Sequence, residues 1–157
     1  MKSQGEIEAA VCDGISRFQQ EFVGRGPRDI HAHLIGTLLV VRLQGVLTPA
    51  ERQLISPRTG PAGKGGPAAE AGAGNGHAQG NAHGNGQANG DNGRALLKQV
   101  RAHMVATGRA KLESIVRGAT GVAMVSVHHA ISTVTGEEVI VFSLADAPAC
   151  RPRKAGK

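Results

Sequence analysis

The stretch from Gly121 to Leu144, GVAMVSVHHAISTVTGEEVIVFSL, sets the strongest limit on what this chain can fold into. Its two arms, Val122 to His129 and Val139 to Leu144, are β-branched runs of strand length. The connection from Ile131 to Glu137 is mostly polar and contains Gly136, which can accept a positive φ. The pattern predicts a β-hairpin, and the remaining segments need such a platform to pack on.

A second hairpin is expected upstream. Asp29 to Ile35 and Leu38 to Leu47 form two strand-like runs turning at Gly36-Thr37. In the longer run Leu39, Val41 and Leu43 share one face while Leu38, Val40 and Arg42 share the other. Apolar residues on both faces suggest a central strand.

Helical spacing accounts for most of the rest. Ser3 followed by Glu6 is a capping-box pattern, and Ile7, Ala10, Val11, Ile15, Phe18 and Phe22 then recur at steps of three and four. Gly14 weakens this helix by about 1 kcal/mol relative to Ala, and Gly24-Arg25-Gly26-Pro27 stops it. Thr48-Pro49-Ala50-Glu51 starts a short second helix, with Thr as N-cap, Pro at the first helical position and Glu at the reciprocal capping position. Gly93 to Arg117 carries Leu97, Val100, Met104, Leu112, Ile115 and Val116 at helical spacing, with a bend or break expected at Gly108.

Between the second and third helical segments the composition changes abruptly. Pro57 to Asn92 is rich in Gly, Asn, Ala and His, as in GNGHAQGNAHGNGQANGDNG, and offers almost nothing to bury. Such a segment does not recover its ordering entropy and is expected to be a flexible insertion within one domain spanning residues 1–146. Residues 147–157 are expected to form a basic, disordered tail. The fold class expected is therefore α+β in two layers: an antiparallel sheet from two β-hairpins packed against amphipathic helices, in the order α-β-β-α-(loop)-α-β-β.

Charge and composition narrow the function classes. The chain has a formal net charge of +6. Arg94 to Arg117 contributes six Lys/Arg against Glu113 alone, and the tail adds Arg151, Arg153, Lys154 and Lys157. A basic helix with Lys98, Arg101, Arg109 and Lys111 suits an acidic partner: a protein face, an anionic lipid surface or nucleic acid. With no Trp or Tyr and only Phe18, Phe22 and Phe142, the chain lacks the stacking platforms of single-strand nucleic-acid binders. Cys12 and Cys150 stand far apart with no CxxC spacing, so no disulfide framework is expected. No apolar leader and no stretch of membrane-spanning length is present, which predicts a soluble, cytoplasmic protein.

Catalytic and metal constellations are sparse. His31 and His33 point to one side of a strand, and His128 and His129 to opposite sides. If those strands were neighbours, three histidines would converge on a metal. His77 and His83 in the insertion form a second, weak ligand set. His128 near Ser132 and Thr133 evokes a hydrolase, but no G-x-S-x-G elbow or placed acid accompanies them. Local satisfaction of turn amides by Ser132 and Thr133 is the simpler role. No cofactor and no enzymatic activity are expected.

Several segments resemble one family. Gly24-Arg25-Gly26-Pro27, the run Val41 to Glu51 (VRLQGVLTPAE), Val127-His128 with Ile131-Ser132-Thr133, Thr135-Gly136-Glu137, Val139 to Phe142, and Gly93-Arg94 opening the long helix resemble the small MpsC-type proteins. Those are named for a sodium-translocating, membrane-potential-generating system. The insertion departs from the family pattern, which has a short link there. The resemblance implies an accessory subunit beside membrane proteins that handle ions, and it supplies no catalytic residues. The leading expectation is a non-enzymatic accessory or regulatory protein that docks to a protein partner, such as membrane ion-transport subunits, through the basic helix with Lys98, Arg101, Arg109 and Lys111 and the surface of the last hairpin, with homo-oligomers also compatible. The alternatives are a small nucleic-acid-binding domain using the basic helix, or a small-molecule or anion sensor using His128, Arg42 and the turn around Arg25.

Overall fold

Each helix and strand follows from local chemistry that the structure makes explicit. The computed structural model describes residues 1–56 and 85–152, with side chains from Asp91 onward in the second block. Helix α1 (Gln4–Val23) opens on a full capping box: Glu6 N donates to Ser3 Oγ while Ser3 N donates to the Glu6 carboxylate at 2.6 Å. It closes on Gly24 in the left-handed region, φ 84°. Helix α2 (Pro49–Ile55) repeats the device with Thr48 and Glu51, and has Pro49 at its first position.

Strands β1 (Asp29–Ile35), β2 (Leu38–Gln44), β3 (Met124–Ile131) and β4 (Glu138–Leu144) form one antiparallel sheet in the order β1-β2-β4-β3. The two hairpins thus join through their second strands, and β2 is central as expected. The β3–β4 connection is held by Ser132 N donating to Glu137 O at 2.8 Å and Gly136 N to Ser132 O at 2.9 Å. Gly136 has φ 71°. The first arm runs two residues later than expected, because Gly121 caps the preceding helix and a bulge between Met124 and Ser126 sets the strand's register.

The long helical segment divides into α3 (Asn85–Thr107) and α4 (Arg109–Thr120), broken at Gly108. The reason is steric: the Phe18 ring of α1 fills the space where a Cβ on residue 108 would stand. Ile115 of α4 likewise lies against Gly14 of α1, which explains a glycine inside an otherwise regular helix. Helix α3 starts at Asn85, so residues 85–92, expected to belong to the flexible insertion, are helical. Residues 57–84, with His77 and His83, lie outside the described residues.

The helices cover one face of the sheet. Its inward rows are Ala32 and Leu34 from β1, Leu39, Val41 and Leu43 from β2, and Ile140, Phe142 and Leu144 from β4. Helix α1 packs over β1 and against α4, while α3 and α4 lie over β3. Ile7, Val11, Ile15 and Phe18 complete the aliphatic core from α1, joined by Leu97, Leu112 and Val116. Residues 147–152 are not free. Arg151 N donates to Lys2 O at 2.9 Å, and its side chain pairs with Glu6 at 3.4 Å. This corrects the expectation of a wholly disordered tail for that part of it, and residues 153–157 lie outside the described residues.

Candidate functional site

The two sides of the sheet have different chemistry. On the covered side the polar residues converge on Arg101, which is 1% exposed. Its Nε donates to Glu51 Oε1 and its Nη2 to Glu51 Oε2, both at 2.8 Å, a two-pronged pairing. Nη2 also reaches Val46 O at 2.8 Å, and Nη1 reaches Gln19 Oε1 at 3.1 Å and Glu138 Oε2 at 3.4 Å. Gln19 Nε2 donates to both Glu138 oxygens, and His129 Nε2 lies 2.8 Å from Glu138 Oε1. One guanidinium therefore ties α1, α2, α3, β4 and the turn after β2 into a single knot. Among the described residues no buried side-chain polar atom lacks a hydrogen-bond partner.

Glu51 serves two structures at once, because the carboxylate that closes the α2 capping box also grips Arg101. Burial pushes the Glu51 carboxyl upward, but hydrogen bonds from Arg101 and Thr48 outweigh it and hold the group below its ordinary value. Arg101 was expected on the solvated face of the basic helix, so its position is a correction. Arg101 lies four positions after Leu97 and four before Val105, which places it on the buried stripe. The same signal marks Glu138, which alternates with Ile140, Phe142 and Leu144 on the inward side of β4. An acid and a cation on core-facing positions imply each other; sequence reasoning named Arg101 as a surface contact and Glu51 only as a cap, and it gave Gln19, Glu138 and His129 no part in such a cluster.

The other basic-helix residues are dispersed. Lys98 is exposed on α3. Lys111 pairs with Glu21 of α1, and Arg109 donates to Val125 O at 3.2 Å beside the β3 bulge. Arg25 reaches Leu47 O at 3.4 Å, so the Gly24–Pro27 segment works as a helix-to-strand connection. Ser132 Oγ accepts from Thr135 N at 3.2 Å, and Thr133 sits half-buried in the same turn.

The uncovered side of the sheet carries the remaining candidates. Register aligns His33, Val40, Val141 and His128 in one row across the four strands, with His31, Arg42, Val139 and Ala130 in the next. Ile35, Leu38, Ser143 and Ser126 form a third row. Arg42 pairs with Glu137 at 2.9 Å, and His31 with Asp29 at 3.1 Å. His31 and His33 stand on β1 and His128 on β3, the opposite edges of the sheet, so the three do not converge. No group of three or more metal-ligating side chains able to hold an ion occurs among the described residues. Arg42 and His128 lie two strands apart, and the Arg25 turn is held elsewhere, so the sensor constellation is not assembled.

Antiparallel sheets with one solvated face normally alternate polar outward and apolar inward. Here the outward positions of the two central strands include Leu38, Val40, Val139 and Val141 beside Arg42, Gln44 and Ser143, and Leu38 is exposed while the three valines are half-buried. Ile35, 64% exposed, extends this aliphatic set on β1. That patch is the feature of the surface in need of a function.

The family described as "Na+-translocating membrane potential-generating system (MpsC)" matches residues 3–62 and 87–146. The interval between those blocks falls in the Gly/Asn/His-rich segment. The chain is similar to the Bacillus subtilis (strain 168) protein YbcI, an uncharacterized protein, with 26% identity over 143 residues, covering 91% of this chain and 89% of that protein. No solved structure matches the chain. With both hairpins and all the helices inside the matched blocks or overlapping them, the chain belongs to the MpsC family.

Proposed function

We propose that the protein is a non-enzymatic accessory or regulatory protein that acts by docking to other proteins, in company with a membrane ion-translocating system. The observation that carries this reading is the open face of the sheet, where four aliphatic side chains of β2 and β4 lie side by side and no helix among the described residues covers them. Contiguous apolar surface on a folded domain marks contact with another molecule. The description of the family supports the link to ion translocation. No helix among the described residues is long and apolar enough to cross a membrane, so the link would run through a partner. The buried titratable groups support a binding role, since Arg101, Glu51 and Glu138 are engaged with one another in holding the fold.

Nucleic-acid binding draws less support. Of the four cations that would grip phosphates, Arg101 is buried and Lys111 is matched by Glu21. The test is capture by tagged full-length chain from detergent-solubilised native membranes, at low and high salt. An ion-transport subunit is expected at both salts with wild type and is lost with Val141→Glu, while Lys98→Glu retains it. Recovery of nucleic acid alone, and only at low salt, would replace the docking reading with a charge effect.

A further inference from the structure

We infer that the open face of the sheet takes a second copy of this chain, packed sheet to sheet in a two-fold dimer. This rests on the docking reading above and names the partner of that same face. Charge is the first ground. The chain carries a formal +6, yet this face holds one fixed positive charge, Arg42, against two negatives, Asp29 and Glu137. It is the near-neutral side of a basic molecule, so two copies meet through it without the repulsion that their other surfaces impose. An acidic partner, by contrast, finds no cation there that is not already paired within the chain.

Pattern is the second ground. The row His33-Val40-Val141-His128 reads the same from either edge, with the β2–β4 seam at its centre. A two-fold axis along the strands lays Val40 on Val141 of the copy and His33 opposite His128 of the copy. In this row apolar groups then meet at the centre and polar ones at the rim, while in the next row Arg42, paired with Glu137 of its own chain, lies over Val139 of the copy. Facing sheets in sandwiches adopt such an aligned arrangement, within about 30° of parallel.

Size is the third ground, and it fixes the strength. Four strands of seven residues at about 4.8 Å by 3.3 Å spacing make a face of about 440 Å². Two such faces bury roughly 900 Å², below the range of stable specific interfaces and within that of weak, transient ones. The dimer is therefore expected to be weak and reversible.

Sedimentation velocity of the full chain across the micromolar range tests this. Wild type is expected to pass from monomer to dimer. Val141→Glu and Val40→Lys each weaken association about tenfold or more by placing a charge in the apolar centre. Both are expected to keep the wild-type circular dichroism and melting profile, and Lys98→Glu should dimerise as wild type. A wild type monomeric throughout overturns the inference, as does a dimer unaffected by either face variant. Membrane capture with the same variants separates the two claims. Loss of the captured subunit from Val141→Glu and Val40→Lys, with wild type monomeric, overturns the second copy alone. Retention of the subunit by both variants overturns the docking reading itself.

Discussion

Arg101 uses all three of its guanidinium nitrogens inside the fold, and its partners come from four other segments of the chain. Breaking such a pair from one side leaves Glu51 and the buried Glu138 without their shared cation, Glu138 keeping only Gln19 and His129. Arg101→Leu should therefore cost about 3–5 kcal/mol by urea denaturation. Adding Glu138→Leu to it should recover part of that loss, the part due to Glu138, while Glu51 remains without its cation. Glu51 makes the knot sensitive to acid. Its folded-state carboxyl lies below the ordinary 4.5, so its stabilising contribution is complete above that value and is lost as pH falls through the folded value. Urea midpoints should thus drop steeply below about pH 4.5 in wild type and less steeply in Glu51→Gln. At this scale the sequence was legible only in part. The capping acids announce themselves through spacing, as Ser3 with Glu6 and Thr48 with Glu51 do. Arg101 was read by its charge, and its place on the Leu97–Val105 stripe was outweighed by the basic residues around it.

The helices and strands were more legible, because periodicity and turn chemistry act over several residues at once. Both hairpins, the central place of β2 and the break at Gly108 follow from patterns of alternation and from single glycines. The bulge at Met124–Ser126 was not legible, since it depends on how β3 meets β4. Nor was the start of α3 at Asn85, where glycine and asparagine are poor helix formers. The Gly108 break has a steric cause and a measurable consequence. Gly108→Ala pushes a methyl group into the Phe18 ring and should cost about 1–3 kcal/mol in thermal or urea unfolding, where an exposed helix position would gain from the same change. The family match omits residues 63–86. Deleting residues 63–84 should accordingly leave the melting temperature within a few degrees of wild type, and a large loss would mean that the segment carries part of the fold.

At the scale of the whole molecule, the layered plan places the described helices on one side of the sheet and leaves the other side largely aliphatic at its centre, with Arg42 and Ser143 among the valines and leucine. That asymmetry was half legible. The β2 run showed apolar residues on both faces, but only the order β1-β2-β4-β3 places Val139 and Val141 beside Leu38 and Val40. The same order separates His31 and His33 from His128, which disposes of the three-histidine convergence. Function is then a matter of which surface meets another molecule: the near-neutral sheet face or the cation-bearing helices. The direct measurement is photo-crosslinking in native cells, with a benzophenone side chain at position 141 and, separately, at position 98, and the adducts identified by mass spectrometry. Position 141 should yield defined protein adducts, a second copy of the chain or an ion-transport subunit, and position 98 should yield few. Defined adducts from position 98 with none from position 141 would contradict docking through the sheet.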